Sequence, residues 1–139
     1  PMLVSRYGMG DSYGLHVDNA FMGEVRSDLS FTLFLSPPES YEGGGLTLEW
    51  PSGSQNVRLS AGDLVLYPST SLHRVEPVTR GQRLAIIGWV ESRIRHTEAR
   101  EALFDLANVR VSLDRMAGVD PLLSLTLQKV QANLLRLLS

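Results

Sequence analysis

Short apolar, β-branched runs separated by glycine- and proline-rich turns make up residues 2–91 of this chain. Strand-length runs with turn signals between them are typical of antiparallel strands in a sandwich or barrel. The pattern therefore predicts a mainly β fold for this part of the chain. The predicted strands cover residues 29–35, 46–50, 55–59, 63–67 and 83–91.

From Thr97 onward the apolar period changes to that of a helix, which we expect to pack against the sheet. A second helix is predicted to begin with Asp120 as N-cap and Pro121 at the first helical position. Its leucine-rich stripe either packs within the chain, which we favour, or forms a homodimer seam, because about two heptads do not separate these alternatives. The stripe consists of Leu123, Leu127, Val130, Leu134 and Leu137. We predict a single domain, with a β core at residues 1–95 and a helical segment at 96–139 packed on it.

Composition restricts the partners of the chain. Its 139 residues suffice for one hydrophobic core. Thirteen basic against fifteen acidic residues give a net charge of −2, which argues against nucleic acid or an anionic membrane as a partner. The chain has no cysteine, which suits a cytoplasmic location and removes thiolates as metal ligands. No apolar run is long enough to span a membrane.

The tripeptide at residues 16–18 contains the most informative spacing in the sequence. If residues 13–18 form a strand, His16 and Asp18 leave it on one face, while Tyr13, Leu15 and Val17 pack on the other. A further histidine, His73, follows the predicted strand at 63–67. Two imidazoles and one carboxylate are the ligand set of non-heme Fe(II) oxygenases. Each signal is weak alone, because such a tripeptide arises by chance and a lone histidine is commonly a surface or hydrogen-bonded core residue.

Arg83 opens a run of residues that is apolar on both faces and therefore predicts a buried strand. A buried guanidinium requires an anion. That anion is either a structural Asp or Glu of the chain or a bound carboxylate ligand held by a bidentate pair of hydrogen bonds. The spacing does not separate these two possibilities.

Several segments together closely resemble the bacterial PKHD-type hydroxylases, which are Fe(II)- and 2-oxoglutarate-dependent dioxygenases of the prolyl/lysyl hydroxylase-domain kind. The resemblance extends from about Arg6 into the C-terminal helices. It rests on Tyr7 and on the segments HVDNA at 16–20, RSDLS at 26–30, TLFLS at 32–36, YEGG at 41–44, AGDLVLYP at 61–68, SLHRV at 71–75 and PVTRG at 77–81.

This resemblance implies a double-stranded β-helix, or jelly roll, with His16, Asp18 and His73 as catalytic iron ligands. Arg83 would hold the distal carboxylate of 2-oxoglutarate, and Tyr7 would line the same pocket. The implied reaction is hydroxylation of a peptidyl Pro- or Lys-like residue or a small metabolite by O2, with release of succinate and CO2. Ascorbate is a candidate further cofactor.

The chain also departs from the family pattern. Gly45 follows the glycine pair where the family usually has Glu, and the family's N-terminal segment before Tyr7 is expected to be absent. Two rival functions remain open: a cupin-like metal enzyme that needs no 2-oxo acid, and a jelly-roll module that binds a ligand without catalysis.

Overall fold

The computed structural model describes all residues from 1 to 139, and it contains twelve strands and two α-helices. Every strand pairing is antiparallel. The strands are β1 (Met2–Tyr7), β2 (Tyr13–His16), β3 (Phe21–Met22), β4 (Val25–Arg26), β5 (Leu29–Phe34), β6 (Tyr41–Gly43), β7 (Leu46–Trp50), β8 (Gly53–Val57), β9 (Leu64–Pro68), β10 (His73–Val75), β11 (Val78–Gly81) and β12 (Arg83–Val90). The helices are α1 (Thr97–Asp114) and α2 (Pro121–Leu138).

Two four-stranded sheets enclose the hydrophobic core of the β region. One sheet has the order β1-β12-β5-β9 and the other β2-β10-β7-β8. Phe34 and Tyr67 of the first sheet form one buried cluster with Leu46, Leu48 and Val57 of the second. The inner faces of the two sheets therefore pack against each other, as the alternating pattern of the sequence predicts.

Strand β5 has polar residues at some of its core-facing positions. Every second residue of β5 is buried, and the buried positions are Ser30, Thr32 and Phe34. Small polar side chains at two of three core-facing positions are unusual, because buried hydroxyls need hydrogen-bond partners. The polar part of this face contributes to a cavity between the sheets.

Three glycines allow the connections near β6 and β11 to approach each other closely. Gly43, Gly44 and Gly81 all have positive φ. A Cβ at Gly43 would lie 2.0 Å from the backbone oxygen of Pro77, and one at Gly81 would lie 2.1 Å from that of Ser40. A side chain at either position would therefore displace backbone.

Gly45, which follows the glycine pair, also lacks space for a side chain. A Cβ built there would lie 2.4 Å from both terminal atoms of the Asn56 amide. Asn56 in turn donates a hydrogen bond of 3.0 Å to the Thr47 hydroxyl. Asn56 thus occupies the volume that a larger residue at position 45 would need.

The chain divides into two compact units, residues 1–91 and 92–139, close to the predicted boundary after residue 95. In the second unit α1 and α2 contact each other, and Asp120 caps α2 by accepting a hydrogen bond of 2.9 Å from the Leu122 amide. Within the predicted apolar stripe, Leu123, Val130 and Leu137 are exposed. Packing of the helices on the β core and a homodimer seam both stay predictions. Neither helix is long and apolar enough to cross a lipid bilayer.

Candidate functional site

Three side chains that are distant in sequence converge at one end of the second sheet. His16 ends β2, His73 begins β10, and the two residues are paired across these strands. Asp18 follows β2, and its Oδ1 lies 3.7 Å from the Nε2 of each histidine. One potential ligand atom from each of the three residues lies within 4.8 Å of the others. The predicted convergence of these three residues is therefore present.

The local geometry around His16 differs from the predicted strand over residues 13–18. β2 ends at His16, so Asp18 lies in the following segment, and Tyr13, Leu15 and Val17 are exposed rather than packed. The register of β2 against β10 is also irregular, because His73 pairs with His16 but Val75 pairs with Tyr13. The extra residue of this bulge places Tyr13 and His16 on the same side, with their ring centroids 4.1 Å apart.

Backbone carbonyls orient both imidazoles. The Nδ1 of His16 lies 2.7 Å from the Gly14 carbonyl oxygen, and the Nδ1 of His73 lies 3.0 Å from that of Ser71. Each contact favours the tautomer with the proton on Nδ1. The lone pair of Nε2 is then directed toward Asp18, which is the arrangement that metal-binding histidines adopt.

The Asp18 carboxylate is held through only one of its oxygens. Oδ2 accepts hydrogen bonds from the Ser30 hydroxyl at 2.5 Å and from the Trp89 indole N–H at 2.9 Å. Ser30 is in turn 2.7 Å from the Ser69 hydroxyl. Oδ1 is left facing the two imidazoles. The roles of Ser30 and Trp89 were not predicted from the sequence, although a serine at an inward position of β5 was an available signal.

The surroundings of His73 favour its neutral form. The residue is only 4% exposed, and its ring centroid is 5.1 Å from that of Tyr67. Burial lowers the pKa of His73 below its ordinary value, with smaller opposing effects from the Ser71 hydrogen bond and from Asp18. Neutral imidazole is the form that binds metals. Two nitrogen donors and one carboxylate oxygen, all oriented by their neighbours, suit a divalent iron ion.

Arg83, the first residue of β12, is buried without an internal anion. It is only 1% exposed, and its Nε and Nη1 have no hydrogen-bond partner. Its Cζ lies 5.5 Å from the ring centroids of both Tyr7 and Phe34. Burial lowers the pKa of Arg83, and the charge interactions that oppose this shift come from tyrosines, with no Asp or Glu among them. The salt-bridged arginines of the chain are Arg26, Arg74 and Arg80.

Of the two alternatives for Arg83, a structural Asp or Glu is therefore wrong. An unpaired buried cation is costly, so the guanidinium is poised for an anion from outside the chain. Carboxylates suit it, because guanidinium N–H groups match the two oxygens in a bidentate arrangement.

A single cavity of about 310 Å³ joins these groups. His16, Asp18, His73, Arg83 and Tyr7 all line it. Burial raises the pKa of Tyr7, which keeps its phenol neutral and able to donate a hydrogen bond. The rest of the wall is largely apolar and includes Leu3, Leu46, Ile87 and Trp89. The cavity thus combines a potential metal site, a cationic anchor and a largely apolar lining.

Comparison with known proteins agrees with this geometry. Residues 2–91 match the family model of the 2OG-Fe(II) oxygenase superfamily. The chain is 56% identical to a PKHD-type hydroxylase of Parvibaculum lavamentivorans, over 97% of this chain and 61% of that protein. It is 49% identical to one of Hyphomonas neptunium, over 100% of this chain and 64% of that protein. The chain therefore spans somewhat less than two-thirds of the length of these relatives.

Solved structures show the same architecture. A Pseudomonas putida prolyl-4-hydroxylase superposes with a TM-score of 0.56 at 30% identity, covering 65% of this chain and 51% of that one. An oxidoreductase of the 2OG-Fe(II) oxygenase family from Burkholderia pseudomallei gives a TM-score of 0.54 at 16% identity, covering 62% and 40%, and shows the fold alone. The predicted jelly-roll class is confirmed. The chain belongs to the 2OG-Fe(II) oxygenase superfamily, and its relatives include the PKHD-type hydroxylases.

Proposed function

We propose that this chain forms the catalytic core of an Fe(II)- and 2-oxoglutarate-dependent hydroxylase. The observation that carries the proposal is the unpaired, buried guanidinium of Arg83 in the same cavity as three convergent metal donors. A metal site alone would suit many enzymes. A metal site beside a carboxylate anchor suits an enzyme whose cosubstrate is a dicarboxylic 2-oxo acid.

In this proposal each residue has a defined task. His16, Asp18 and His73 hold Fe(II) through their nitrogen and carboxylate donors. When bound, the ferrous ion supplies dioxygen activation coupled to conversion of 2-oxoglutarate to succinate and CO2. Arg83 binds the distal carboxylate of 2-oxoglutarate, and Tyr7 donates a hydrogen bond in the same pocket. The apolar wall excludes water from the reacting groups.

The substrate belongs to one of two classes, a peptidyl Pro- or Lys-like residue or a small metabolite. The name of the Pseudomonas putida protein, a prolyl-4-hydroxylase, supports including a peptidyl proline among the first candidates. Ascorbate is proposed as a reductant that sustains turnover. A cytoplasmic location, the absence of nucleic acid and membrane partners, and dimerisation are further proposals, and light scattering tests the last of these.

The cosubstrate role of Arg83 is tested by Arg83→Gln in the protein loaded with Fe(II). Loss of the guanidinium removes a charge-assisted bidentate contact, so the 2-oxoglutarate concentration needed for half-maximal succinate release should rise by about 10- to 100-fold. Metal affinity should change little, because Arg83 donates to none of the three metal donors. Arg80→Gln is the matched control, since Arg80 is an exposed arginine paired with Glu42.

Three outcomes of measurements on the unaltered protein and the Arg83→Gln variant contradict the proposal. An unchanged 2-oxoglutarate requirement in Arg83→Gln would remove the anchor role of Arg83. Product formation without 2-oxoglutarate would favour the cupin-like rival, and absence of both succinate release and 2-oxoglutarate binding in the unaltered protein would favour the non-catalytic module.

A further inference from the structure

A buried hydroxyl remains unexplained by the roles assigned so far. Tyr41, the first residue of β6, is only 1% exposed, and its hydroxyl is buried without a hydrogen-bond partner. Leaving such a group unsatisfied is costly, and native proteins rarely do so without a functional reason. The same is true of the Nε and Nη1 of Arg83, so the chain contains two buried nitrogen donors and one buried hydroxyl without partners.

Gly44 shows that the side chains of Tyr41 and Arg83 are neighbours. A Cβ built on Gly44 would lie 3.1 Å from the Cδ of Arg83 and 3.3 Å from the Cε2 of Tyr41. Both side chains therefore pack over the same glycine. Among the groups that oppose the lowering of the Arg83 pKa by burial, Tyr41 acts most strongly, ahead of Tyr7 and Tyr67.

The position of the Tyr41 ring is fixed by Arg58. The Cζ of Arg58 lies 4.6 Å from the ring centroid, a cation–π distance. The Nη2 of Arg58 also donates to the carbonyl oxygens of Pro38 at 2.8 Å and Tyr41 at 2.7 Å. Tyr41 is thus held beside Arg83 by contacts to its ring and to its backbone, which leaves its hydroxyl as the one part without a partner.

Of the tyrosines near Arg83, Tyr41 has a distinct position. Tyr7 and Tyr67 line the cavity. Tyr41 does not line the cavity. Its hydroxyl therefore does not face a ligand in the cavity, and the neighbouring side chain with unpaired N–H groups is that of Arg83.

We propose that Tyr41 is a positioning residue, whose hydroxyl accepts an N–H of Arg83 when the guanidinium binds the distal carboxylate of a dicarboxylic 2-oxo acid. This inference rests on the proposed function. Arg83 offers five N–H donors, and a bidentate carboxylate takes two of them. A phenol oxygen that accepts one of the other N–H groups orients the planar guanidinium of Arg83. It also gives a hydrogen-bond partner to an N–H group that the ligand does not reach.

Binding of two 2-oxo acids to the Mn(II)-loaded protein tests this role without turnover. 2-Oxoglutarate has the distal carboxylate, whereas 2-oxobutyrate has the same chelating head and lacks it. By calorimetry, Tyr41→Phe should weaken 2-oxoglutarate binding by about tenfold, because one hydrogen bond to a charged group is lost. Its affinity for 2-oxobutyrate should stay that of the unaltered protein. Phenylalanine keeps the ring on which Arg58 stacks, and the thermal unfolding midpoint verifies the fold.

The outcomes separate failure of this inference from failure of the proposed function. Equal weakening of both acids, or no weakening of either, overturns the positioning role of Tyr41 and leaves the anchor role of Arg83 intact if Arg83→Gln still loses 2-oxoglutarate selectively. If the unaltered protein binds both acids equally and Arg83→Gln changes neither affinity, the cosubstrate role fails, and the inference about Tyr41 fails with it.

Discussion

At the scale of single residues, the state of the metal donors is set by groups that do not themselves bind metal. Asp18 has no regular strand to hold it, because β2 ends at His16. Its carboxylate is instead fixed by Ser30 and Trp89, both donating to Oδ2. Fixing one oxygen leaves the other directed at the two imidazoles, which lowers the reorganisation needed when an ion binds.

Replacing Ser30 by alanine should therefore weaken metal binding without removing a ligand. Loss of such a supporting hydrogen bond typically costs about 10- to 100-fold in metal affinity. We expect the metal affinity of Ser30→Ala to fall by about tenfold, the lower end of this range, because Trp89 still donates to the same oxygen. A calorimetric Mn(II) titration measures the change, with Ser60→Ala, at an exposed serine, as control. Undiminished affinity in Ser30→Ala would mean that the indole alone orients Asp18.

At the scale of elements, most of the predicted strand bounds agree closely with the structure. β7 has the predicted bounds, and β5, β9 and β12 agree within one residue, whereas β8 begins two residues earlier than predicted. The predicted N-cap of α2 at Asp120 is confirmed. The strand expected over residues 13–18 is the exception. A bulge depends on the pairing of β2 with β10, and local periodicity contains no information about a partner strand.

The ladder of β6 and β11 provides a stability prediction. Gly81 has φ +75°, and a Cβ there would lie 2.1 Å from the Ser40 backbone oxygen. Gly81→Ala should reduce the free energy of unfolding by more than about 3 kcal/mol, through backbone strain together with displacement of β6.

Gly62→Ala is the matched comparison for Gly81→Ala. Gly62 has φ +93°, with no atom within 4 Å of a built Cβ, so only the backbone strain of about 1–2 kcal/mol applies. Urea unfolding of both variants separates strain from steric contact. Equal losses of stability in the two variants would mean that the backbone around Ser40 moves away from the new Cβ at no energetic cost.

At the scale of the whole molecule, the two compact units have separate spectroscopic probes. Both tryptophans, Trp50 and Trp89, lie in the unit of residues 1–91, and both α-helices lie in residues 92–139. Trp fluorescence therefore reports the β unit, whereas ellipticity at about 222 nm reports mainly the helices.

Urea unfolding followed by these two signals tests the predicted single domain. If the helical segment packs on the β core, both units should unfold together, and the two transitions should have the same midpoint. A chain truncated after Glu91 should then be less stable than the complete chain. Separate midpoints, with an unchanged fluorescence transition in the truncated chain, would instead show two independently folding units.

The sequence by itself determined the mainly β class and the two helices, and it offered candidate residues for binding a metal and a carboxylate through their chemistry and through the family resemblance. These properties follow from local periodicity, capping and the chemistry of particular side chains. Only the tertiary structure decided that Arg83 has no acidic partner, that Ser30 and Trp89 hold Asp18, and that the side chains of Tyr41 and Arg83 pack over Gly44. Each of these facts depends on which strands become neighbours, and local sequence patterns do not reveal neighbours that are distant along the chain.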